Sequence, residues 1–274
     1  MTDLKDVLKS VSRAESRYRR HKVDTSTHEN DDMLDRRNPN TRAHYIEVGR
    51  GALSMLLRAM VLCEKSTITN VLVLPCGYGR ELRHFVRAFP KANFTACEIE
   101  EAKIAYCAER FKATPVLSRV DFDTLTFDRS FDVVWSGSLL THLPEKRYLA
   151  ALSLFSRVLA PGGIALITLQ GRNTPHFQEV EFEYMDQEGM DDSVKAFADT
   201  GWAFAPYPGE DDYGITFALP SVVHAHLERD PTVSCRGYVE RGWDDHQDVL
   251  IFQKEAIGHR WSSLGRLPIK QQPS

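Results

Sequence analysis

The sequence predicts a doubly wound, Rossmann-like α/β fold, and three observations carry that expectation. The short runs Asn70–Leu74, Ala92–Ile99, Phe131–Trp135 and Ile164–Leu169 are β-branched or aliphatic with few polar residues, as strands buried on both faces must be. Helix-like segments separate them, which makes the strands parallel neighbours joined by crossovers. The first run also passes through Pro75-Cys76-Gly77-Tyr78-Gly79 straight into a helical stretch, the place where such sheets open a ligand crevice.

Each element follows from its local pattern. Residues 3–20 form an amphipathic helix with Leu4, Val7, Leu8, Val11 and Tyr18 on one face and Lys5, Lys9, Arg13 and Arg17 on another. Two readings fit it: a solvated helix packed on the domain, or a peripheral contact with an anionic membrane or a partner. His21 to Asn40 is polar and turn-rich and reads as loop or weakly ordered chain. Thr41–Cys63 reads as a helix, with Ile46, Leu53, Leu56, Leu57 and Met60 at helical spacing. The alternation then runs through helices at Gly79–Phe89, Glu101–Phe111 and Pro144–Leu159, with a further short strand at Pro115–Leu117. Pro161-Gly162-Gly163 turns the chain into Ile164–Leu169.

Beyond Arg172 the simple alternation stops. Residues 172–219 are rich in aromatics (Phe177, Phe182, Tyr184, Trp202, Phe204, Tyr207, Tyr213) and hold a helix near Asp191–Thr200 and a strand near Tyr213–Ala218. An insertion after the last parallel strand lies over the crevice, so its aromatics suit a substrate lid or acceptor pocket, or else a satellite apolar cluster. Pro220–Glu228 reads as a helix, and Thr232–Glu240 and Asp248–Lys254 as an antiparallel pair joined by Arg241–Gln247. The chain thus divides into an N-terminal helical segment (1–63), a core (64–171), the insertion (172–219) and a C-terminal completion (220–274).

Composition narrows the function. A chain of 274 residues with 42% hydrophobic and 26% charged residues suits one large soluble domain. A formal charge of −4 gives no reason to expect a nucleic-acid partner. Five cysteines without a CxxC pair suggest reduced, buried thiols. The charged N-terminal stretch lacks a signal peptide's apolar core, and no run approaches about 18 apolar residues, so a cytoplasmic protein is expected. No metal site is expected: His224 and His226 are too close on a helix to share a face, and the Asp191-Asp192, Asp211-Asp212 and Asp244-Asp245 pairs lack a ligand spacing.

The chemistry concentrates at strand ends. Gly77 and Gly79 let backbone approach a ligand that a side chain would exclude. Glu98, followed by Ile99, ends the next strand roughly 20 residues on, where a carboxylate accepts the hydroxyls of a ribose. Asp121 and Phe122 follow the third strand and can frame an adenine, and Ser136-Gly137-Ser138 puts small residues at the fourth strand's exit. His142 lies just beyond, and His246 neighbours Asp245; both are candidates for a general base.

Taken as an ordered set, VLVLPCGYGRELRHF, TACEIE, VDFDTL, FDVVWSGSLLTHL and VLAPGGIALIT resemble the motifs of class I S-adenosylmethionine-dependent methyltransferases over roughly residues 70–170. The resemblance implies a seven-stranded sheet with an antiparallel last strand and S-adenosyl-L-methionine as cofactor. It places the methionine portion at Pro75, Cys76, Gly77 and Gly79 and the ribose at Glu98. Ile99 belongs with the cofactor contacts, Asp121 and Phe122 address adenine, and Ser136, Gly137 and Ser138 lie beside the cofactor. Two positions depart from the pattern: Val73 stands where an acidic residue is usual, and Pro75 where the first glycine is. Gly242-Trp243-Asp244-Asp245-His246-Gln247-Asp248-Val249 resembles a bacterial subgroup partly associated with glycan biosynthesis. The expected function is methyl transfer to a hydroxyl of a small-molecule or glycan acceptor. Its rivals are a non-catalytic cofactor-binding protein and a nicotinamide oxidoreductase, the latter opposed by Leu82 where a third glycine would stand.

Overall fold

The computed structural model describes residues 3–35, 37–174 and 187–256. Phe177, Phe182 and Tyr184 lie outside these residues. Helix α1 (Leu4–Arg20) opens on Asp3, whose side chain accepts from the Lys5 N–H as an N-cap. It buries Val7 and Ala14 and leaves Leu4 and Leu8 about half exposed beside the outward lysines and arginines. Helix α2 (Pro39–Leu62) follows.

The central sheet has seven strands in the order β3-β2-β1-β4-β5-β9-β8. Strands β1 (Asn70–Val73), β2 (Asn93–Glu98), β3 (Thr114–Leu117), β4 (Phe131–Ser136) and β5 (Leu159–Leu169) pair in parallel. The C-terminal strand β9 (Gln247–Lys254) lies antiparallel between β5 and β8 (Val233–Trp243). Helices α3 (Leu82–Ala88), α4 (Glu101–Phe111), α5 (Glu145–Val158) and α7 (Pro220–Leu227) complete the layers, and a short 3-10 turn spans Leu140–His142. The order of β3-β2-β1-β4-β5 reverses direction between β1 and β4, so the crevice opens at their carboxyl ends.

The strands are apolar throughout because alternate residues feed two separate cores. Val71, Val73, Val133, Trp135, Ile164 and Leu166 face α2, α3 and α4, while Leu72, Leu74, Val134, Ala165 and Ile167 face α5 and α7. Each large aliphatic side chain so buried contributes about 1.5–3 kcal/mol. The polar exception, Asp132, accepts from the Thr69 and Asn70 N–H groups and pairs with Lys65 at 3.0 Å, pinning the start of β1.

Several boundaries differ from expectation. Strand β5 begins at Leu159, because Gly162 (φ +75°) and a register shift on β4 absorb the Pro161–Gly163 turn within the strand. The insertion carries α6 (Gln187–Thr200) and an unexpected strand, β6 (Trp202–Pro206), paired with β7 (Gly214–Ala218) as a separate two-stranded sheet. Met190, Phe197, Ala203, Ile215 and Phe217 give it a small core of its own. All five thiols are free; Cys63, Cys76, Cys97 and Cys107 are buried and Cys235 is exposed. Among the described residues no helix is long and apolar enough to cross a membrane.

Candidate active site

The site begins where β1 runs out. Leu74 still donates to the Trp135 carbonyl, and Pro75 breaks the ladder. Gly77 (φ +48°) and Gly79 (φ +77°) then turn the backbone through a region costly for other residues. The two glycines differ in their surroundings. A Cβ on Gly77 would meet open space within 4 Å, whereas one on Gly79 would run into the Phe111 ring.

Glu98, at the end of β2, is 8% exposed and joined directly to this turn. Its Oε2 accepts from the Gly77 N–H at 3.2 Å and its Oε1 from the Ile99 N–H at 2.7 Å. Burial raises its pKa above the ordinary carboxylate value, against the pull of those two backbone donors and Lys103. Each oxygen keeps a lone pair for a further donor. Ile99 and Val120, both 52% exposed, are large apolar residues left uncovered near the exits of β2 and β3. A buried carboxylate with spare lone pairs, a glycine facing open space and an uncovered apolar surface fit an adenosine-bearing cofactor.

The remaining expected residues have distinct settings. Asp121 is exposed and caps its own turn by accepting from the Asp123 N–H. Phe122 is buried in the α5-side core, its carbonyl accepting from Arg157 and its ring 6.0 Å from the Arg147 guanidinium. Ser136 is fully buried, and its hydroxyl has no hydrogen-bond partner among the described residues. A side chain at Gly137 would press on Trp135 and Trp243 at 3.1 Å. Ser138 adopts φ +55° inside a closed ring of hydrogen bonds. Its N–H donates to Thr168 Oγ1 (2.8 Å), Thr168 donates to Gln247 Oε1 (2.6 Å), and Gln247 Nε2 donates back to Ser138 Oγ (2.8 Å).

His142 is held by the insertion. Its Nδ1 lies 2.8 Å from the Gly214 carbonyl of β7 and 3.2 Å from the Tyr207 hydroxyl. A carbonyl only accepts, so Nδ1 carries the proton and Nε2 keeps the basic lone pair. Tyr213 stacks on the imidazole at 4.9 Å, and burial lowers the His142 pKa despite that carbonyl. Thr216 donates to the Leu143 carbonyl and Arg147 to the Asp212 carbonyl, docking the β6–β7 hairpin against the β4 exit. His246 sits in the β8–β9 turn with its backbone N–H donating to the Trp243 carbonyl, and the Asp244 carboxylate of the same turn lies 3.1 Å from His44. Asp244 (φ +58°) and Asp245 (φ +51°) are both left-handed there.

Sequence reasoning missed Gln247, Thr168 and the packing role of Trp243. Of the two readings offered for residues 21–40, loop or weakly ordered chain, the described residues before α2 are loop, and Asp24, Ser26 and His28 anchor it across the turn. Arg83 donates to the Asp24 and Ser26 carbonyls, and His28 stacks on Tyr78 at 4.4 Å. Those anchors are a buried arginine and a ring pair distant in sequence, which local patterning does not reveal.

Residues 71–163 match the methyltransferase domain family. That match covers about a third of the chain and takes in the glycine turn, Glu98 and the β4 exit, so this stretch is similar to methyltransferase domains. A malonyl-[acyl-carrier protein] O-methyltransferase from Bacillus cytotoxicus is 31% identical over 127 residues. That match spans 45% of this chain and 43% of the relative's length. A methyltransferase from Clostridium acetobutylicum has a TM-score of 0.55 at 10% identity, over 79% of this chain and 99% of its own. An S-adenosylmethionine-bound amino pentose methyltransferase from Micromonospora echinaspora, involved in calicheamicin biosynthesis, has a TM-score of 0.54 at 16% identity, over 79% of this chain and 97% of its own. At such identities these two likenesses are of fold alone.

Proposed function

We propose that the protein transfers a methyl group from S-adenosyl-L-methionine to a hydroxyl of a small-molecule or glycan acceptor, with His142 as general base. The bound cofactor supplies a methyl group already activated by its sulfonium. In this reading Glu98 accepts both ribose hydroxyls, Ile99 and the loop of Asp121 and Phe122 border the adenine, and the Pro75–Gly79 turn receives the methionine portion. Ser136, Gly137 and Ser138 flank the point of transfer, and Thr168 and Gln247 hold Ser138 in its left-handed conformation.

The observation that carries the base assignment is the His142 tautomer. With the Nδ1 proton committed to Gly214, Nε2 takes the acceptor's hydroxyl proton, and the resulting imidazolium returns it to solvent. Burial keeps the ring neutral in the resting state. Tyr207 and Tyr213 give the acceptor flat amphipathic walls, and such faces suit sugar rings and phenols alike. The tail resemblance and the amino pentose relative favour a sugar, though the relative's substrate is its own.

The test is methyl-labelled cofactor with a panel of activated sugars, phenols and amines, on wild type and His142→Asn. Label should reach a hydroxyl acceptor, and the variant should lose about 100-fold or more in kcat. Its affinity for S-adenosylhomocysteine should stay unchanged. Activity should rise with pH along an acid limb below the ordinary histidine value. Transfer to amines alone, or a fully active variant, refutes the reading; cofactor binding without transfer to any acceptor class marks a binding protein instead.

A further inference from the structure

The turn that should receive the methionine portion has few backbone donors left for a carboxylate. Pro75 has no N–H, Cys76 donates to the Cys97 carbonyl, Gly77 to Glu98, and Gly79 to the Cys76 carbonyl. Val73 adds nothing polar at the strand's end. Within Pro75–Gly79 only the Tyr78 N–H makes no hydrogen bond among the described residues, so a carboxylate here calls for a further donor.

Two arginines follow the turn, and their donors are used differently. Arg83 is spent on structure: its Nε donates to the Gly79 carbonyl, Nη1 to Asp24 and Ser26, and Nη2 to Tyr45 and the Tyr78 carbonyl. Arg80 commits only its Nε, to Glu81 Oε1 at 2.7 Å. Its terminal nitrogens make no hydrogen bond among the described residues, and the side chain keeps 18% of its surface exposed.

That guanidinium also lies over an aromatic ring. It lies 5.2 Å from the centre of the Trp243 ring. Trp243 is itself held: its Nε1 donates to the Val48 carbonyl of α2, and its benzo edge abuts Gly137 at the β4 exit. Arg80 thus bridges the glycine turn and the Ser136–Ser138 exit, the two walls between which the methyl donor must lie. A planar cation held at Nε by Glu81 and placed over the Trp243 ring leaves its Nη atoms available as a fork.

We infer that Arg80 binds the carboxylate of the cofactor's amino-acid portion through its Nη edge, in place of the donors missing from the turn. The inference rests on the cofactor reading above and assigns one contact within it. Titration calorimetry of the full chain with S-adenosylhomocysteine and with 5′-methylthioadenosine, which shares the nucleoside but lacks the amino acid, tests it. Arg80→Leu should weaken S-adenosylhomocysteine about tenfold or more, since a hydrogen bond to a charged group contributes roughly 1.5–3 kcal/mol. Methylthioadenosine should bind within about twofold of wild type, which also shows the variant folded. Arg80→Lys should recover only part of the loss, a point charge being a poor substitute for a fork. Unchanged S-adenosylhomocysteine affinity in Arg80→Leu, or equal losses for both ligands, overturns the assignment. A wild type that binds neither ligand overturns the cofactor reading itself, a different result.

Discussion

Replacing Glu98 by glutamine probes the nucleoside end of the site, and its expected cost follows from the carboxylate's hydrogen bonds. Each oxygen already accepts one backbone N–H, from Gly77 or Ile99, and has one remaining acceptor position for a ribose hydroxyl. Glutamine removes the charge from both prospective ribose bonds and turns one acceptor into an NH₂ group facing a backbone donor. With about 1.5–3 kcal/mol for each bond to a charged acceptor, and part recovered because a neutral amide is cheaper to bury, the net loss is about 3 kcal/mol. That is roughly a hundredfold or more in Kd.

The assay is calorimetry with S-adenosylhomocysteine and methylthioadenosine side by side. Both carry the ribose, so Glu98→Gln should weaken both by a similar factor, in contrast to the selective loss expected for Arg80→Leu. The pH dependence supplies a second check. Burial raises the pKa of Glu98 in the free protein, and donation by ribose hydroxyls favours its ionised form. Affinity is therefore full above that raised pKa and falls as pH drops through it, and the glutamine variant should lack this dependence. Binding of both ligands by Glu98→Gln within about threefold of wild type would refute the ribose role.

The paired glycines make opposite predictions. Gly79→Ala should lower stability by about 2 kcal/mol or more, read as a fall in Tm, because a left-handed φ and the Phe111 ring both oppose the methyl group. Gly77→Ala should cost about 1–2 kcal/mol for its backbone alone yet weaken S-adenosylhomocysteine, since its methyl group enters open space at the crevice. His84 is fully buried, with Nδ1 2.8 Å from the Tyr18 hydroxyl; burial, then the charges of Arg83 and Arg50, push its pKa down to about 3. The folded state thus holds it neutral, so its contribution is complete above the unfolded value near 6.5 and declines as pH falls toward 3. Between pH 7 and pH 5 denaturant titration should show wild type losing about 2 kcal/mol more than His84→Gln; equal slopes would contradict it.

The sheet was legible because its strands obey a physical necessity. A strand buried on both faces has no room for polar residues, so Asn70–Leu74 and Phe131–Trp135 announce themselves. Strand β6 did not, because Trp202–Pro206 is a partly exposed element whose partner β7 lies across an acidic turn, and neither period nor length distinguishes it. The start of β5 was misjudged for a related reason: Pro161-Gly162-Gly163 has turn chemistry, but a neighbouring strand can absorb it as an irregularity.

The same division runs through the site. That Gly77, Glu98 and Ile99 meet was readable because parallel strands deliver consecutive motifs to one edge, and the Glu98 carboxylate accepts from both neighbours' N–H groups. What was not readable comes from the far end of the chain. Strand β9 inserts between β5 and β8, and that single antiparallel step brings Gln247 onto Thr168 and Ser138, and Trp243 against Gly137 and Arg80. No local period encodes a contact between residues so distant in sequence. The consequence is chemical as well as topological. Conformations at the β4 exit depend on the tail, so Gln247→Leu, which removes both arms of the hydrogen-bond ring, should disturb Ser138 while leaving the Glu98 end intact. Methylthioadenosine affinity, set by the nucleoside end, should then survive a substitution that impairs transfer.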